Sequence, residues 1–330
     1  METWLTVLNS LGNHIKIFTV PVKPEELQAA HVVFIWHLER LHESFQPWQI
    51  AKQLKLPIIL VSTYWHGGKR FIGFGLLKQC ELLYRIVRDK DISCTCKVLL
   101  GLWSRCRKQI LTKSSLLIVN SIAERELLIS EGAEGNSMIK IPNVIKTNDF
   151  RQIKLVPWEQ RTLVACVGHF CPRKNQLGLI RALKGSNISI TFVGGFRPMH
   201  RRYMNRCMRE AGAQHHFLGR LSHIDTLNVL GKSKVSISAS LAETPGICNL
   251  EAAAAGCVLI LPSLTPVKEY FGELSVYIDP RRINIQTISQ AMKQKPSPLI
   301  QQNIFDHYTE KNLLHYWKEL NIDEVLSCTN

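Results

Sequence analysis

The stretch Glu243-Thr-Pro-Gly-Ile-Cys-Asn-Leu-Glu251-Ala-Ala-Ala-Ala-Gly256 decides how this chain is interpreted. Two carboxylates flank a Pro-Gly pair and the start of an apolar, small-residue run that is typical of a helix. The N-terminus of a helix presents backbone N–H groups that can bind a diphosphate. Carboxylates accept hydrogen bonds from hydroxyl groups. The segment therefore indicates a ligand that combines phosphates with a polyol, as a nucleotide-sugar does, although an ordinary turn with two solvated glutamates has the same composition.

The residues on either side of this segment predict that it lies in a βαβ unit. Short β-branched or apolar runs occupy residues 234–240 before it and residues 258–261 after it. A strand, a glycine-bearing loop, a helix and a second strand place the loop at the carboxyl end of a parallel strand. That end is where open α/β sheets bind ligands.

The rest of the chain alternates in the same way, which predicts an α/β fold with parallel sheets covered on both faces. Helices are predicted at 47–54 and 71–87, and a Ser121-Ile-Ala-Glu124 capping box opens another. Strands are predicted at 15–20, 32–36, 58–62, 115–120, 162–167 and 188–193. We expect an N-terminal domain over 1–148, a linker over 149–160, a second domain over 161–297, and a helical tail over 298–330 that packs back on the first domain.

Composition and charge narrow the class of protein. The 330 residues are 45% hydrophobic, which is ordinary for a soluble protein, and no apolar run approaches the roughly 20 residues of a membrane span. The start Met-Glu-Thr-Trp-Leu has no basic signal-peptide region, so we expect a cytoplasmic location. The ten cysteines lack paired zinc-ligand spacing and are interpreted as reduced thiols, and no metal site is predicted.

The net charge of +15 is concentrated in the segment 69–113, which carries eleven Lys and Arg residues against three acids. Leucines and aromatic residues alternate with the basic ones. That mixture fits a helix on an anionic membrane surface, so a peripheral position on the inner face of the membrane is predicted. A solvated basic helix face is the plainer alternative. No nucleic-acid-binding motif is present, so a nucleic-acid partner is not expected.

A second set of residues follows the first strand of the second half, in Val167-Gly168-His169-Phe-Cys-Pro-Arg173-Lys174-Asn175. A glycine at the end of a strand, followed by basic residues before a helix, suits a phosphate. Lys174 would supply a point charge to a diphosphate. Basic residues on an ordinary surface loop are the alternative interpretation.

These residues together resemble the retaining GT-B glycosyltransferases of family 4, the glycosyl transferases group 1. The resemblance extends well over residues 115–280 and loosely elsewhere, and its motifs occur in the family's order. They are Val119 to Glu124, Ile141-Pro-Asn143, Gly168 to Lys174, Val193-Gly194-Gly195, Phe217-Leu-Gly219, the Glu243-x7-Glu251 segment, and Pro266-Val-Lys-Glu269.

The resemblance implies two Rossmann-like domains that face a central cleft, and transfer of a sugar from a nucleoside diphosphate with retention of configuration. No cofactor or metal is implied, since the nucleotide-sugar is a co-substrate and no protein nucleophile is expected. Lys174 would neutralise the leaving diphosphate, Glu243 would bind a sugar hydroxyl and Glu251 would bind the ribose. Other implied donor-site residues are Gly168, His169, Arg173, Gly219, Gly246, Ile247 and Cys248.

The sequence departs from the family pattern in three places. His169 stands where a second phosphate-binding Arg is usual, and Arg173 is the candidate to compensate. The family's first N-terminal strand has no counterpart in this sequence. Residues 3–11 resemble the family's first helix, and residues 15–20 resemble its second strand. The catalytic His of the acceptor side has no clean match; His66 is the first candidate and His37 the second, and each could instead be a structural loop histidine.

Three functions follow from these observations. The first is a glycosyltransferase of polysaccharide or lipopolysaccharide biosynthesis that acts on a glycolipid or polysaccharide precursor. The second is a catalytically degenerate nucleotide-sugar binder or a scaffold protein, which His169 and the missing strand suggest. The third, a basic nucleic-acid-binding protein, would bind nucleic acid with a steep dependence on salt.

Overall fold

A computed structural model describes residues 2–39, 41–65, 103–135 and 138–319 of the protein. The chain divides into two compact units. The N-terminal unit is Glu2–Pro142 together with the end of the chain from Leu314, and the C-terminal unit is Asn143–Leu313. The predicted helix at 71–87 and the candidate His66 lie outside the described residues.

The N-terminal unit is built on a parallel sheet of four described strands in the order β1-β2-β3-β4. Its strands are β1 (Val33–Trp36), β2 (Ile58–Val61), β3 (Leu116–Val119) and β4 (Met138–Lys140), and its helices are α1 (Glu2–Ser10), α2 (Pro24–Leu27), α3 (Leu41–Gln53), α4 (Trp103–Lys113) and α5 (Ile122–Ser130). The sequences Ile-Ile-Leu-Val and Leu-Leu-Ile-Val of β2 and β3 are buried along their whole length. Unbroken apolar runs of this kind are typical of strands covered on both faces.

The strand predicted at residues 15–20 is wrong. These residues form neither a strand nor a helix, and Ile17 and Phe18 are exposed. The segment has β-branched residues, but no strand lies beside it among the residues that the structure describes, and β-propensity is decided by such packing. Helix α1 does form, and its Trp4 contacts Trp36 and Trp317 edge-on, with ring centroids 6.4 and 5.6 Å away.

The C-terminal unit contains a second parallel sheet, of six strands. The strands are β5 (Leu163–Val167), β6 (Thr191–Val193), β7 (His216–Phe217), β8 (Ser233–Ile237), β9 (Val258–Pro262) and β10 (Val276–Ile278). The helices are α6 (Thr147–Phe150), α7 (Gln176–Ala182), α8 (Arg201–Glu210), α9 (His223–Gly231), α10 (Ile247–Ala254), α11 (Thr265–Phe271), α12 (Ile285–Ala291), α13 (Pro298–His307) and α14 (Glu310–Glu319), of which the last runs on into the N-terminal unit. Single 3-10 turns occupy Trp158–Gln160, Pro172–Lys174, Pro198–His200 and Gly272–Leu274.

The strand order of this sheet is β10-β9-β8-β5-β6-β7. The chain starts at β5, proceeds to one edge through β6 and β7, and then returns to build β8, β9 and β10 on the other side. This is the Rossmann order, and its direction reverses between β5 and β8. Ligands of such sheets bind outside the carboxyl ends of the strands at that reversal, which is where the loops after residues 167 and 237 begin.

Helix α10 is fixed in the interior of the C-terminal unit. Its Leu250 and the alanines 252–254 are fully buried, because small side chains allow a helix to pack closely against its neighbours. The buried guanidinium of Arg161 donates hydrogen bonds to the carbonyl oxygens of Ala255 at 2.8 Å and Gly256 at 3.1 Å, just beyond the end of the helix. These contacts satisfy carbonyls that a helix leaves unpaired at its C-terminus, so the N-terminus of α10 has a fixed position relative to the sheet.

Within the ranges that the structure describes, no helix is long and apolar enough to cross a membrane. The same ranges contain no group of three or more His, Cys, Asp or Glu side chains arranged to hold a metal ion.

Candidate functional site

Three strand-end glycine turns lie side by side at the carboxyl edge of the C-terminal sheet. The N–H of Gly168 donates to the carbonyl of Val193 at 2.8 Å, and the N–H of Gly194 donates to that of Gly219 at 2.7 Å. A Cβ atom on Gly194 would overlap the carbonyl oxygen of Gly168, and its φ of +147° also favours glycine. The absence of side chains lets these turns approach one another closely.

Lys174 lies directly over the first of these turns. It ends the 3-10 turn Pro172–Lys174, and Asn175 then adopts a left-handed conformation with φ of 55° before α7 begins. A Cβ atom built on Gly168 would be 3.5 Å from Cε of Lys174. The predicted pairing of a strand-end glycine with a lysine six positions later is therefore present as a direct contact.

Glu243 is the acidic partner of Lys174. The Lys174 ammonium forms an ion pair with Oε2 of Glu243, Arg173 approaches Oε1 at 3.3 Å, and the Ser240 hydroxyl donates to Oε2 at 3.0 Å. The Glu243 side chain is only 6% exposed. Burial by itself raises the pKa of Glu243, but Lys174 and then Arg173 offset it, and the net pKa lies below its usual value. Glu243 is thus a buried, ionised carboxylate held between two cations.

Arg173 is also bound to the loop that carries Glu243. Its guanidinium donates to the carbonyl of Ala242 at 2.7 Å, and its own carbonyl accepts from the N–H of Leu241 at 2.8 Å. These bonds join the loop after β5 to the loop after β8 across the reversal of the sheet. The cation that the sequence offered as a replacement for the missing arginine is therefore engaged with Glu243.

Gly246 opens helix α10 as its N-cap, with φ of 79°. The buried amide of Asn249 donates to the carbonyl of Pro245 at 2.8 Å and holds the turn. Ile247 and Cys248 follow in the first turn, where backbone N–H groups have no partner inside a helix. Burial raises the pKa of the Cys248 thiol to about 12, with the charge of Glu251 adding to the effect, so Cys248 is a neutral thiol at physiological pH.

Glu251 lies one turn further along α10, and its side chain is 8% exposed. Its Oε1 is 2.7 Å from Nε2 of His223, the first residue of α9. The other ring nitrogen of His223, Nδ1, is 3.2 Å from Oδ2 of Asp149 in α6. Neither His223 nor Asp149 was predicted as a site residue, because no motif links a helix-start histidine to residues 74 positions before it.

The remaining histidine predictions have separate outcomes. His169 is exposed, and its Nδ1 lies 3.3 Å from the carbonyl oxygen of Gly195. His37 belongs to the N-terminal unit, where it follows β1 with φ of 71° and its Nδ1 lies 2.7 Å from the hydroxyl of Thr63. His66 lies outside the described residues, so its role remains a prediction.

Glu124 in the N-terminal unit is a buried carboxylate, and the sequence predicted only its place in a capping box. The Ser121 hydroxyl accepts from the N–H of Glu124 at 3.0 Å, as a capping box requires, but the Glu124 carboxylate does not return to Ser121. It accepts from the hydroxyl of Ser62 and the N–H of Asn120, each at 2.7 Å, and from the N–H of Tyr64. Burial raises the pKa of Glu124 to about 7, although these donors lower it.

Comparison with known proteins agrees with this geometry. Residues 148–296 match the sequence model of the glycosyl transferases group 1. That range contains the three glycine turns, Lys174, Glu243 and Glu251. No curated protein matches the chain by sequence.

Solved structures match the fold over most of the chain. HepE of Anabaena in complex with UDP-glucose has a TM-score of 0.68 at 13% identity, over 96% of this chain and 88% of that one. Sucrose-phosphate synthase of Thermosynechococcus elongatus has a TM-score of 0.65 at 16% identity, over 91% and 75%. A glycosyltransferase of Rickettsia africae has a TM-score of 0.57 at 15% identity, over 90% and 99%. The chain therefore has the GT-B fold, and its residues 148–296 are similar to the glycosyl transferases group 1.

Proposed function

We propose that this protein is a retaining glycosyltransferase that moves a sugar from a nucleoside diphosphate to a glycan acceptor. The observation that carries the proposal is the contact of Lys174 with both the Gly168 turn and Glu243, beside the N-terminus of α10. A lysine ammonium and the N–H groups of a helix start both bind a diphosphate. The UDP-glucose complex of the similar Anabaena protein makes a UDP-sugar the first donor to test.

In this proposal the principal catalytic task is to stabilise the negative charge that develops on the departing diphosphate. Lys174 and the first-turn N–H groups of Ile247 and Cys248 supply fixed positive charge and dipoles for it. Glu251 accepts hydrogen bonds from the ribose. Glu243 holds Lys174 in position and is also proposed to bind a hydroxyl of the donor sugar.

The mechanism proposed for retention needs no protein nucleophile. Both oxygens of Glu243 already receive charged or hydroxyl donors, and Cys248 is a neutral thiol, so neither is suited to attack an anomeric carbon. The acceptor would instead attack on the face from which the diphosphate leaves. Lys174 and the helix N-terminus provide the charge that a metal would otherwise contribute, so we propose a metal-independent reaction.

A donor-turnover assay tests the proposal. The protein would be incubated with UDP-, GDP-, ADP- and CMP-sugars, with and without candidate acceptors, and release of the nucleotide measured with and without a chelator. Release from one donor class is expected, unchanged by the chelator and abolished in Lys174→Met. Lys184→Met, an exposed lysine of the same unit, is the matched control and should retain activity. NMR of an early product would give the anomeric configuration, and inversion would contradict the proposed mechanism.

The acceptor is proposed to be a glycolipid or polysaccharide precursor at the cytoplasmic face of the membrane. Only residues 103–113 of the basic segment are described. There Cys106, Ile110 and Leu111 are buried, while Arg105 and Lys108 are exposed. Residues 105–111 therefore expose charged side chains and bury their apolar ones. Co-sedimentation should show binding to anionic vesicles and not to neutral ones, and equal binding to both would contradict this part of the proposal.

His169 supports a second candidate, a nucleotide-sugar binder without turnover. Its exposed ring lies against the Gly195 carbonyl, and a neutral imidazole brings no fixed charge to a phosphate. Specific nucleotide binding without nucleotide release from any donor, in the presence of a range of acceptors, would favour this candidate. Conversion of His169 to Arg should then increase affinity for the diphosphate.

A further inference from the structure

His223 connects two acidic residues on different helices of the C-terminal unit. Its Nε2 lies 2.7 Å from Oε1 of Glu251 in α10, and its Nδ1 lies 3.2 Å from Oδ2 of Asp149 in α6. The His223 side chain is 48% exposed, whereas the two carboxylates are 8% and 17% exposed. The ring thus lies at the surface and covers two carboxylates that are mostly buried.

The surroundings of His223 favour its protonated form. A neutral imidazole has one N–H and can donate to only one acceptor, whereas both ring nitrogens of His223 face carboxylate oxygens. The Nε2 contact with Glu251 is a hydrogen bond and the Nδ1 contact with Asp149 is an ion-pair contact, so a positive charge on His223 strengthens both. The hydrogen bond to Glu251 raises the pKa of His223, and the charges of Glu251 and Asp149 add to this effect; burial and, to a smaller extent, Lys146 lower it, and the net pKa is raised. The N-terminus of α9 also opposes a positive charge at this position.

Glu251 uses only one of its two oxygens in this arrangement. Its Oε1 accepts from His223, and among the described residues no side chain or backbone group donates to Oε2. The carboxylate therefore has one oxygen fixed by the protein and one left for a ligand. A carboxylate held in this way can accept a hydroxyl hydrogen bond without first losing rotational freedom, which lowers the entropic cost of binding.

We propose that His223 is a positioning residue for ribose recognition, which as an imidazolium braced by Asp149 fixes Glu251 Oε1 and leaves Oε2 to bind a ribose hydroxyl. This inference rests on the proposed nucleotide-sugar site and adds to it a residue outside the motifs. It also makes nucleotide binding dependent on pH. As the pH rises through the pKa of His223, the ring loses its positive charge, and Glu251 is held less firmly.

The test compares ligands with and without ribose. Binding of UDP, GDP and ADP and of inorganic pyrophosphate would be measured by titration calorimetry for wild type, His223→Gln and the exposed control His216→Gln. His223→Gln should weaken binding of the preferred nucleoside diphosphate by about fivefold to tenfold, the loss of one charge-assisted contact. Pyrophosphate carries no ribose hydroxyl for Glu251 to bind, so its affinity should be unchanged, a selectivity that general damage to the fold would not produce.

The pH dependence provides the second readout. Between pH 6.5 and 9 the wild type should lose affinity for the nucleoside diphosphate more steeply than His223→Gln, which serves as the reference for titration of the ligand itself. Asp149→Asn retains the histidine but removes one of the two carboxylates, so the loss of affinity should begin at lower pH.

Two results would overturn the inference. Equal or tighter nucleotide binding by His223→Gln would show that the histidine is dispensable or competes with the ribose. Equal weakening of pyrophosphate would show a structural role only. If wild type binds neither the nucleoside diphosphates nor pyrophosphate, the donor site itself is contradicted, and this outcome is distinct because it appears before any variant is compared.

Discussion

Replacement of Lys174 by Met is the perturbation whose consequence the structure defines most completely. The ammonium pairs with Oε2 of Glu243, and the two side chains are 17% and 6% exposed. Methionine has a similar length and no charge. The variant therefore leaves the Glu243 carboxylate in a buried environment with the Ser240 hydroxyl and with Arg173 at 3.3 Å as its remaining donors.

The magnitude follows from the cost of leaving a buried charge without its partner. Removal of one partner of a buried ion pair typically costs about 3–5 kcal/mol. Because Arg173 and Ser240 still contact Glu243, we expect a loss of about 2–3 kcal/mol in the free energy of unfolding. The double variant Lys174→Met/Glu243→Gln removes the buried charge as well, and it should recover at least half of that loss.

Urea unfolding of the four members of this double-mutant cycle measures the coupling directly, provided that the m-value does not change. Lys295→Met is the matched control, since Lys295 pairs with Glu159 at 2.8 Å with both side chains more than 60% exposed, and no measurable change is expected. The reasoning is refuted if Lys174→Met is as stable as wild type, or if the double variant is less stable than the single one.

Three further substitutions test other parts of the structure. Gly194→Ala should reduce the free energy of unfolding by at least about 2 kcal/mol more than Gly185→Ala does. Both glycines have positive φ, but only a Cβ atom at 194 would overlap a backbone carbonyl. Similar losses in the two variants would contradict the close approach of the turns. Arg161→Met should cost about 3 kcal/mol in a urea titration by removing buried hydrogen bonds to carbonyls at the end of α10, and a change below 1 kcal/mol would argue against that role. The pKa of Glu124 is about 7 in the folded state against an ordinary 4.5, so between these pH values the folded state keeps a proton that the unfolded state releases. The free energy of unfolding should therefore fall by about 3 kcal/mol as the pH rises from 4.5 to 7. Glu124→Gln should not show this fall, and an equal fall in the variant would show that another group causes it.

Much of the fold could be predicted because the relevant signals are local. The strands at 58–61, 116–119 and 258–262 are unbroken apolar runs, and each lies where the sequence placed it. The same reasoning failed at residues 15–20, where no strand in the described part of the chain lies beside the β-branched residues. Periodicity records which residues favour a strand, but the neighbouring strand that stabilises it is a property of the tertiary structure.

The residues of the candidate site likewise fall into those that local sequence signals predict and those that depend on tertiary packing. Lys174, Glu243 and Glu251 could be selected from the sequence because strand-end glycines and a helix start lie within a few residues of them. The direction of Arg173 toward Glu243 could not be predicted, since it depends on the loop after β8. His223 and Asp149 reach Glu251 only because α6, α9 and α10 pack together, and no local pattern marks them.

The central claim is that the strand-end loops of the C-terminal sheet bind a nucleoside diphosphate. Titration calorimetry of wild type, Glu251→Gln and the exposed control Glu273→Gln with UDP, GDP and ADP tests it most directly. We predict that wild type and Glu273→Gln bind one of the three nucleotides equally, and that Glu251→Gln binds it about 10- to 100-fold more weakly, the loss of a hydrogen bond to a charged acceptor. Equal affinity in Glu251→Gln, or no binding of any of the three to folded wild-type protein, would contradict the claim.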